Sequence, residues 1–93
     1  MKIEYDPTKR QRTLEERGLD FDSIVDVFDG FYLTRTDDRK DYGETRHIML
    51  GALDGRPVVC VWTQRGDAIR VISMRIADDE EREIYRRELE RSG

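Results

Sequence analysis

The chain has 93 residues, 37% hydrophobic and 41% charged, with a formal net charge of −4 at pH 7. These values describe one small domain with a thin core and argue against non-specific nucleic-acid binding. No stretch approaches the ~20 apolar residues of a membrane span, and one cysteine with one histidine excludes a disulfide framework and leaves little for a structural zinc site.

In chain order, Lys2-Ile3-Glu4-Tyr5 alternates and predicts a short strand. Asp6-Pro7 starts a helix, a capping carboxylate followed by proline at the first helical position. That helix runs from Pro7 to Arg17 and ends at Gly18, a left-handed cap. Leu14 is its only large apolar residue, so most of it is solvated. Phe21, Ile24, Val25 and Phe28 fall at i, i+3, i+4 and i+7, which predicts a second helix with that stripe inward, capped by Asp20 or Asp22 and stopped by Asp29-Gly30. The period then changes to that of strands. Phe31 to Thr36 is followed by a polar, mobile loop over 37–43, then by Glu44 to Leu53 and an Asp54-Gly55 hairpin. Arg56 to Gln64 is the most apolar strand and is expected to be central, and Arg65-Gly66-Asp67 turns the chain into Ala68 to Ala77. Four acids at 78–81 sit where the helix dipole favours them, and the last helix, 79–91, puts Ile84, Tyr85 and Leu89 on one face. The order β-α-α-β-β-β-β-α predicts an α+β fold: a mostly antiparallel sheet with its helices packed against it. A single domain over 1–93 and a soluble, cytoplasmic location are expected, since the N-terminal MKIEYDPTKR lacks the apolar region of a signal peptide.

The charge is unevenly spread. Residues 1–34 carry 5 basic and 8 acidic residues, 35–77 carry 8 and 6, and 78–93 carry 4 and 7. A basic stripe on an acidic body fits a specific anion site better than a cationic surface. Arg65, Arg70 and Arg75 lie in and beside an otherwise apolar strand whose only nearby acid is Asp67.

Four segments, DPTK, FDSIVDVFDG, DDRKDYGETRHIMLG and TQRGDAIRVISMR, resemble in order and spacing the BrnT family of toxins from type II toxin–antitoxin modules, over nearly the whole chain. The most specific parts are Asp41-Tyr42-Gly43-Glu44 with Arg46, and Arg65-Gly66-Asp67 followed by Arg70, Ser73 and Arg75. The resemblance implies a RelE-like ribonuclease fold, a toxin that cleaves RNA to arrest translation, and neutralisation by a small BrnA-like antitoxin. It also implies a dimeric complex that reaches operator DNA only through the antitoxin. The first helix departs from the family pattern: Thr13, Glu16 and Arg17 stand where asparagine, lysine and histidine are usual. Ile76 takes the place of a common basic residue.

Cleaving RNA without a metal or other cofactor requires deprotonating the 2′-hydroxyl, stabilising the extra charge on the phosphate and protonating the 5′-oxygen. Arginine suits the second task because its planar, permanently charged guanidinium binds phosphate oxygens bidentately. Arg46, Arg65, Arg70 and Arg75 are therefore candidate catalytic residues, and the family resemblance adds Lys9. Strict alternation complicates the picture. It sets Arg75 with Ser73 and Val71 but Arg70 with Ile72 and Met74, so the arginines converge only at a strand end or across a sharp twist. The plainer reading is that they lie over apolar surface and pair with Asp67 or Glu44.

Glu44 shares a face with Arg46 and is expected to hold an arginine in place, or to form a cross-strand pair with Arg70 or Arg75. His47 is the only histidine, the side-chain type most suited to acid–base catalysis, but alternation puts it opposite Arg46 and beside Met49, as a packed ring. Lys9 either reaches the scissile phosphate or is a solvated helix lysine. Tyr85 either packs in the core with Leu89 or touches substrate from the edge of the last helix. Trp62 and Cys60 share a strand face and read as core. Two functions remain open. One is a metal-free endoribonuclease toxin that cuts mRNA by transesterification and leaves a cyclic phosphate. The other is a weak or inactive module of the same fold, whose arginine surface binds an antitoxin or another acidic protein; the altered first helix favours this one. No basic recognition helix supports a DNA-binding domain.

Overall fold

The computed structural model describes residues 1–93. Strand β1 (Lys2–Glu4) leads into helix α1 (Pro7–Arg17), a 3₁₀ turn (Phe21–Ser23) and α2 (Ile24–Asp29). Four strands follow, β2 (Leu33–Asp37), β3 (Arg46–Leu53), β4 (Arg56–Arg65) and β5 (Ala68–Ile76), and α3 (Asp79–Ser92) closes the chain. The strands form one sheet in the order β1-β5-β4-β3-β2, with only the β1–β5 pair parallel. This is the α+β arrangement expected from the hydrophobic periods.

The caps of α1 are those read from sequence. The Asp6 carboxylate accepts from the backbone N–H of Thr8 and Lys9, and Gly18, at φ 70°, donates to the Leu14 carbonyl. No residue of α1 is buried, so polar contacts hold it. Arg10 makes two hydrogen bonds to Asp20, at 3.0 and 2.8 Å, and Arg17 Nη1 donates to the Met74 carbonyl at 2.7 Å. The Arg17 bond is made on β5 beyond Arg70, where the short β1 no longer pairs with it.

The single helix expected from Phe21 to Phe28 is instead a 3₁₀ turn followed by α2. Asp20 closes the turn by accepting from Asp22 N–H at 3.0 Å. A 3₁₀ turn repeats every three residues, so the inward stripe is Phe21, Ile24 and Val27, with Val25 only half-buried. Strand β2 begins at Leu33, two residues later than expected, and the Phe31 carbonyl before it accepts from the Tyr85 hydroxyl at 3.1 Å. Both hairpins turn at the expected residues. Asp54 and Gly55 both have positive φ (52° and 79°), the pattern of a type I′ turn, and Gly66 has φ 59°.

The main core lies between one sheet face and the layer of α1, the 3₁₀ turn and α2. Met49, Val58, Cys60, Val71 and Met74 meet Leu19, Phe21, Ile24 and Val27 there. Burying each large side chain of this set contributes about 1.5–3 kcal/mol. Gly51 permits the close approach of α2, since a Cβ at that position would lie 2.5 Å from Val27 Cγ1. Helix α3 covers part of the opposite face. Asp78 and Glu81 form a reciprocal capping box at its start, and Tyr85 packs edge-on against Phe31.

Candidate functional site

Residues paired across neighbouring strands share a sheet face. Trp62 of β4 pairs with Val71, and its neighbour Val61 pairs with Ser73, so Ile72 is an extra residue in β5, a β-bulge. The bulge overturns the strict alternation that separated Arg70 from Arg75. Arg70, Ser73 and Arg75 pair with Thr63, Val61 and Val59, all on the face turned away from α1 and α2. Val71 and Met74, three residues apart, both enter the main core.

On this open face the register builds rows. Asp37, Arg46, Thr63, Arg70 and Glu4 form one row across all five strands. The next holds Arg35, Ile48, Val61 and Ser73, and a third holds Leu33, Leu50, Val59 and Arg75. Beside the third row, a shallow groove of about 250 Å³ runs under α3, lined by Leu33, Ile48, Leu50, Val59 and Ile84. Arg65 ends β4 at the edge of the same face, so the four arginines singled out from sequence share one face, with Arg75 two rows away from Arg46 and Arg70.

Glu44 holds arginines as expected, whereas the partners expected for Arg70 and Arg75 differ. Glu44 accepts from Arg46 Nε at 3.0 Å and from Arg65 Nη2 at 3.4 Å. These guanidiniums, Arg46 foremost, hold the Glu44 carboxyl below its ordinary value. Arg75 makes two hydrogen bonds to Glu81 of α3, at 2.7 and 2.8 Å, and draws that carboxyl down to about 2. Asp67, the acid nearest in sequence, faces Lys2 at 3.7 Å instead. Arg70 has no carboxylate partner, although Glu4 stands next to it in the row. The Arg70 guanidinium is thus uncommitted, as is that of Arg35 in the next row.

The loop between β2 and β3 is tied down by its own side chains. Asp41 accepts from Gly43 N–H at 2.8 Å, closing a turn in which Gly43 has φ 73°. The turn brings the Tyr42 ring over the Arg46 guanidinium, 4.1 Å from ring centroid to Cζ. The Tyr42 hydroxyl donates to Asp37 at 3.1 Å, and Asp37 also accepts two guanidinium bonds from Arg39, each at 2.8 Å. The Asp37 side chain is 1% exposed, and Arg39 first, then Tyr42, keeps its carboxyl ionised well below the usual range. Asp37 and Tyr42 were not among the candidates chosen from sequence; the Asp-Tyr-Gly spacing was the available signal for Tyr42.

The remaining candidates lie elsewhere. His47 is on the main-core face, stacked on Trp62 with ring centroids 4.3 Å apart, so no imidazole reaches the arginines. Lys9 is exposed on α1, in the layer across the sheet. Tyr85 is buried with its hydroxyl engaged on Phe31. Cys60 is buried in the core, and that burial pushes its thiol up to about 12. No three His, Cys, Asp or Glu side chains are grouped to hold a metal ion, and no helix is long and apolar enough to cross a membrane.

The family whose model matches this chain, over residues 5–81, is described as "Ribonuclease toxin, BrnT, of type II toxin-antitoxin system". No curated protein matches it.

Proposed function

The chain belongs to the BrnT family of ribonuclease toxins from type II toxin–antitoxin systems, and from that premise we propose that it cuts RNA on its arginine face by metal-independent transesterification. The observation that carries this reading is the row in which Arg46 and Arg70 flank Thr63, with Arg70 free of any protein carboxylate. Two strand spacings, about 10 Å, separate the two backbones, a span that two arginine side chains close onto one phosphate. The ribose 2′-oxygen attacks phosphorus and loses its proton, the bond to the 5′-oxygen breaks, and that oxygen takes up a proton. The products are a 2′,3′-cyclic phosphate and a free 5′-hydroxyl. The guanidiniums stabilise the charge that builds on the phosphoryl oxygens. Glu44, ionised and already bonded to two arginines, is assigned to orienting them and not to moving a proton.

The family also implies a cognate antitoxin. In this reading the antitoxin masks the arginine face, the complex dimerises, and operator DNA is reached through the antitoxin alone; the toxin acts in the cytoplasm, where mRNA is translated. A second reading is favoured by Glu81, a carboxylate already seated on Arg75. A face that accepts carboxylates also suits an acidic protein segment, with no cleavage at all.

The test is end-labelled RNA incubated in excess chelator, with and without ribosomes, using wild type, Arg70→Ala and Arg75→Ala. Cleavage that survives the chelator and is lost in both variants supports the ribonuclease reading. Intact RNA with folded wild-type protein, in both conditions and at every salt concentration, supports the binding module.

A further inference from the structure

Among the arginines of the open face, Arg46 alone lies against an aromatic ring. Its Nε–H is committed to Glu44, which fixes one edge of the guanidinium, and the Tyr42 ring fixes the plane. Four N–H donors on its two terminal nitrogens remain for a ligand. An exposed arginine loses much side-chain freedom on binding; Arg46 has given up most of it already, and its side chain is 26% exposed.

Tyr42 is itself held at both ends. The Asp41–Gly43 turn fixes its backbone, and Asp37 holds its hydroxyl. The two Arg39 bonds keep that carboxylate in place. The chain of contacts runs from Arg39 through Asp37 and Tyr42 to Arg46, and it ends in the row that contains Arg70.

We propose that Tyr42 is a positioning residue: its ring holds the Arg46 guanidinium in the plane from which it meets a phosphate in the gap beside Arg70. The functional consequence rests on the ribonuclease reading; the geometric one does not. Tyr42 touches no reacting atom, so its effect must pass through Arg46.

The experiment has two arms. In the first, RNA cleavage is measured for wild type, Tyr42→Phe, Tyr42→Leu, Arg46→Ala and the Tyr42→Leu/Arg46→Ala double variant, with folding checked by thermal melting. Tyr42→Phe keeps the ring and is expected to retain kcat within about threefold, whereas Tyr42→Leu loses about tenfold in kcat with KM changed less than about threefold. In the Arg46→Ala background the same leucine substitution is expected to change the rate by less than about twofold, because nothing is left to position. An active wild type whose Tyr42→Leu variant is unimpaired, or is impaired equally without Arg46, overturns the proposal. In the second arm, the Arg46 Nε–H resonance is followed by NMR in wild type, Tyr42→Phe and Tyr42→Leu. Loss of its ring-current shift and faster guanidinium rotation in Tyr42→Leu alone supports the positioning, and an unchanged resonance overturns it. A wild type that cleaves no RNA defeats the ribonuclease reading, and the resonance then decides the positioning by itself.

Discussion

Deleting one residue from a strand that is buried on one face normally turns every following side chain to the wrong side. Deletion of Ile72 should not. With the bulge residue gone, Val71 and Ser73 become neighbours and still pair with Trp62 and Val61. The alternation then runs unbroken, with Arg70, Ser73 and Arg75 outward and Val71, Met74 and Ile76 inward. What is lost is one partly buried isoleucine and the local twist, a cost of about 1 kcal/mol from half of a buried side chain's transfer energy. Deletion of Ile48 from β3 is the control, since that strand is regular. If the register before the deletion is kept, Leu50 takes Met49's place in the core, a swap that costs less than about 1.5 kcal/mol, and Asp54 replaces Leu53 against the core edge, at about 1 kcal/mol. Ala52 would move into the place of Gly51, where a Cβ lies 2.5 Å from Val27 Cγ1, adding about 1–3 kcal/mol of overpacking. The sum, about 2–5 kcal/mol, approaches the whole stability of a small domain at the low end of the ~5–15 kcal/mol range. Thermal melting followed by far-UV and near-UV circular dichroism compares them. The Ile72 deletion should melt cooperatively within roughly 4–8 °C of wild type, and the Ile48 deletion should fall by at least about twice that or show no native transition. An Ile72 deletion as damaged as the control would mean that the bulge is not what reconciles the two faces of β5.

Three further outcomes are expected. Gly51→Ala should cost about 1–3 kcal/mol in urea denaturation, and combined with Val27→Ala, which has its own core cost, it should cost less than the sum of the two because the clashing methyl is gone. Because Glu81 is held at about 2 in the folded protein, the Arg75–Glu81 pair contributes fully above the ordinary carboxylate value of 4.5, and its contribution is lost as pH falls towards 2. With the Arg75 side chain 45% exposed, that contribution is at most about 1 kcal/mol, so Glu81→Gln should lower the melting temperature slightly at pH 7 and leave it unchanged near pH 2. Cys60, buried and with its thiol pushed up to about 12, should resist a thiol reagent at pH 8 until urea unfolds the chain.

The elements were legible because each carries its signal locally: Asp6-Pro7 and Gly18 bound α1, Asp54-Gly55 makes a hairpin, and Asp78 with Glu81 caps α3. His47 could be placed away from Arg46 by alternation alone, and it stacks on Trp62 as that placement implies. The arginine face was only half legible. A bulge is a mismatch between two strands, so the residues of β5 alone cannot reveal it; the count of Val61 and Trp62 against Ser73 and Val71 is needed. Pairings across the fold were hidden for a similar reason. Glu81 reaches Arg75 because the end of β5 and the start of α3 fold back on each other, whereas Asp67, two residues from Arg65, turns towards Lys2. Val27 displaced Val25 in the core through the 3₁₀ turn at Phe21, a tightening for which the apolar spacing gave no warning.

The brevity of β1 has an effect on the company the molecule keeps with its own copies. Past Arg70, the outer margin of β5 offers free backbone groups, and such a margin is a template on which another chain can add a strand. Arg17 lies across it, with its charged head on the Met74 carbonyl. A second strand docking there would have to displace a charge-assisted hydrogen bond and bring its own backbone beside a cation. Arg17 thus stands where a strand from a second copy of the chain would have to dock.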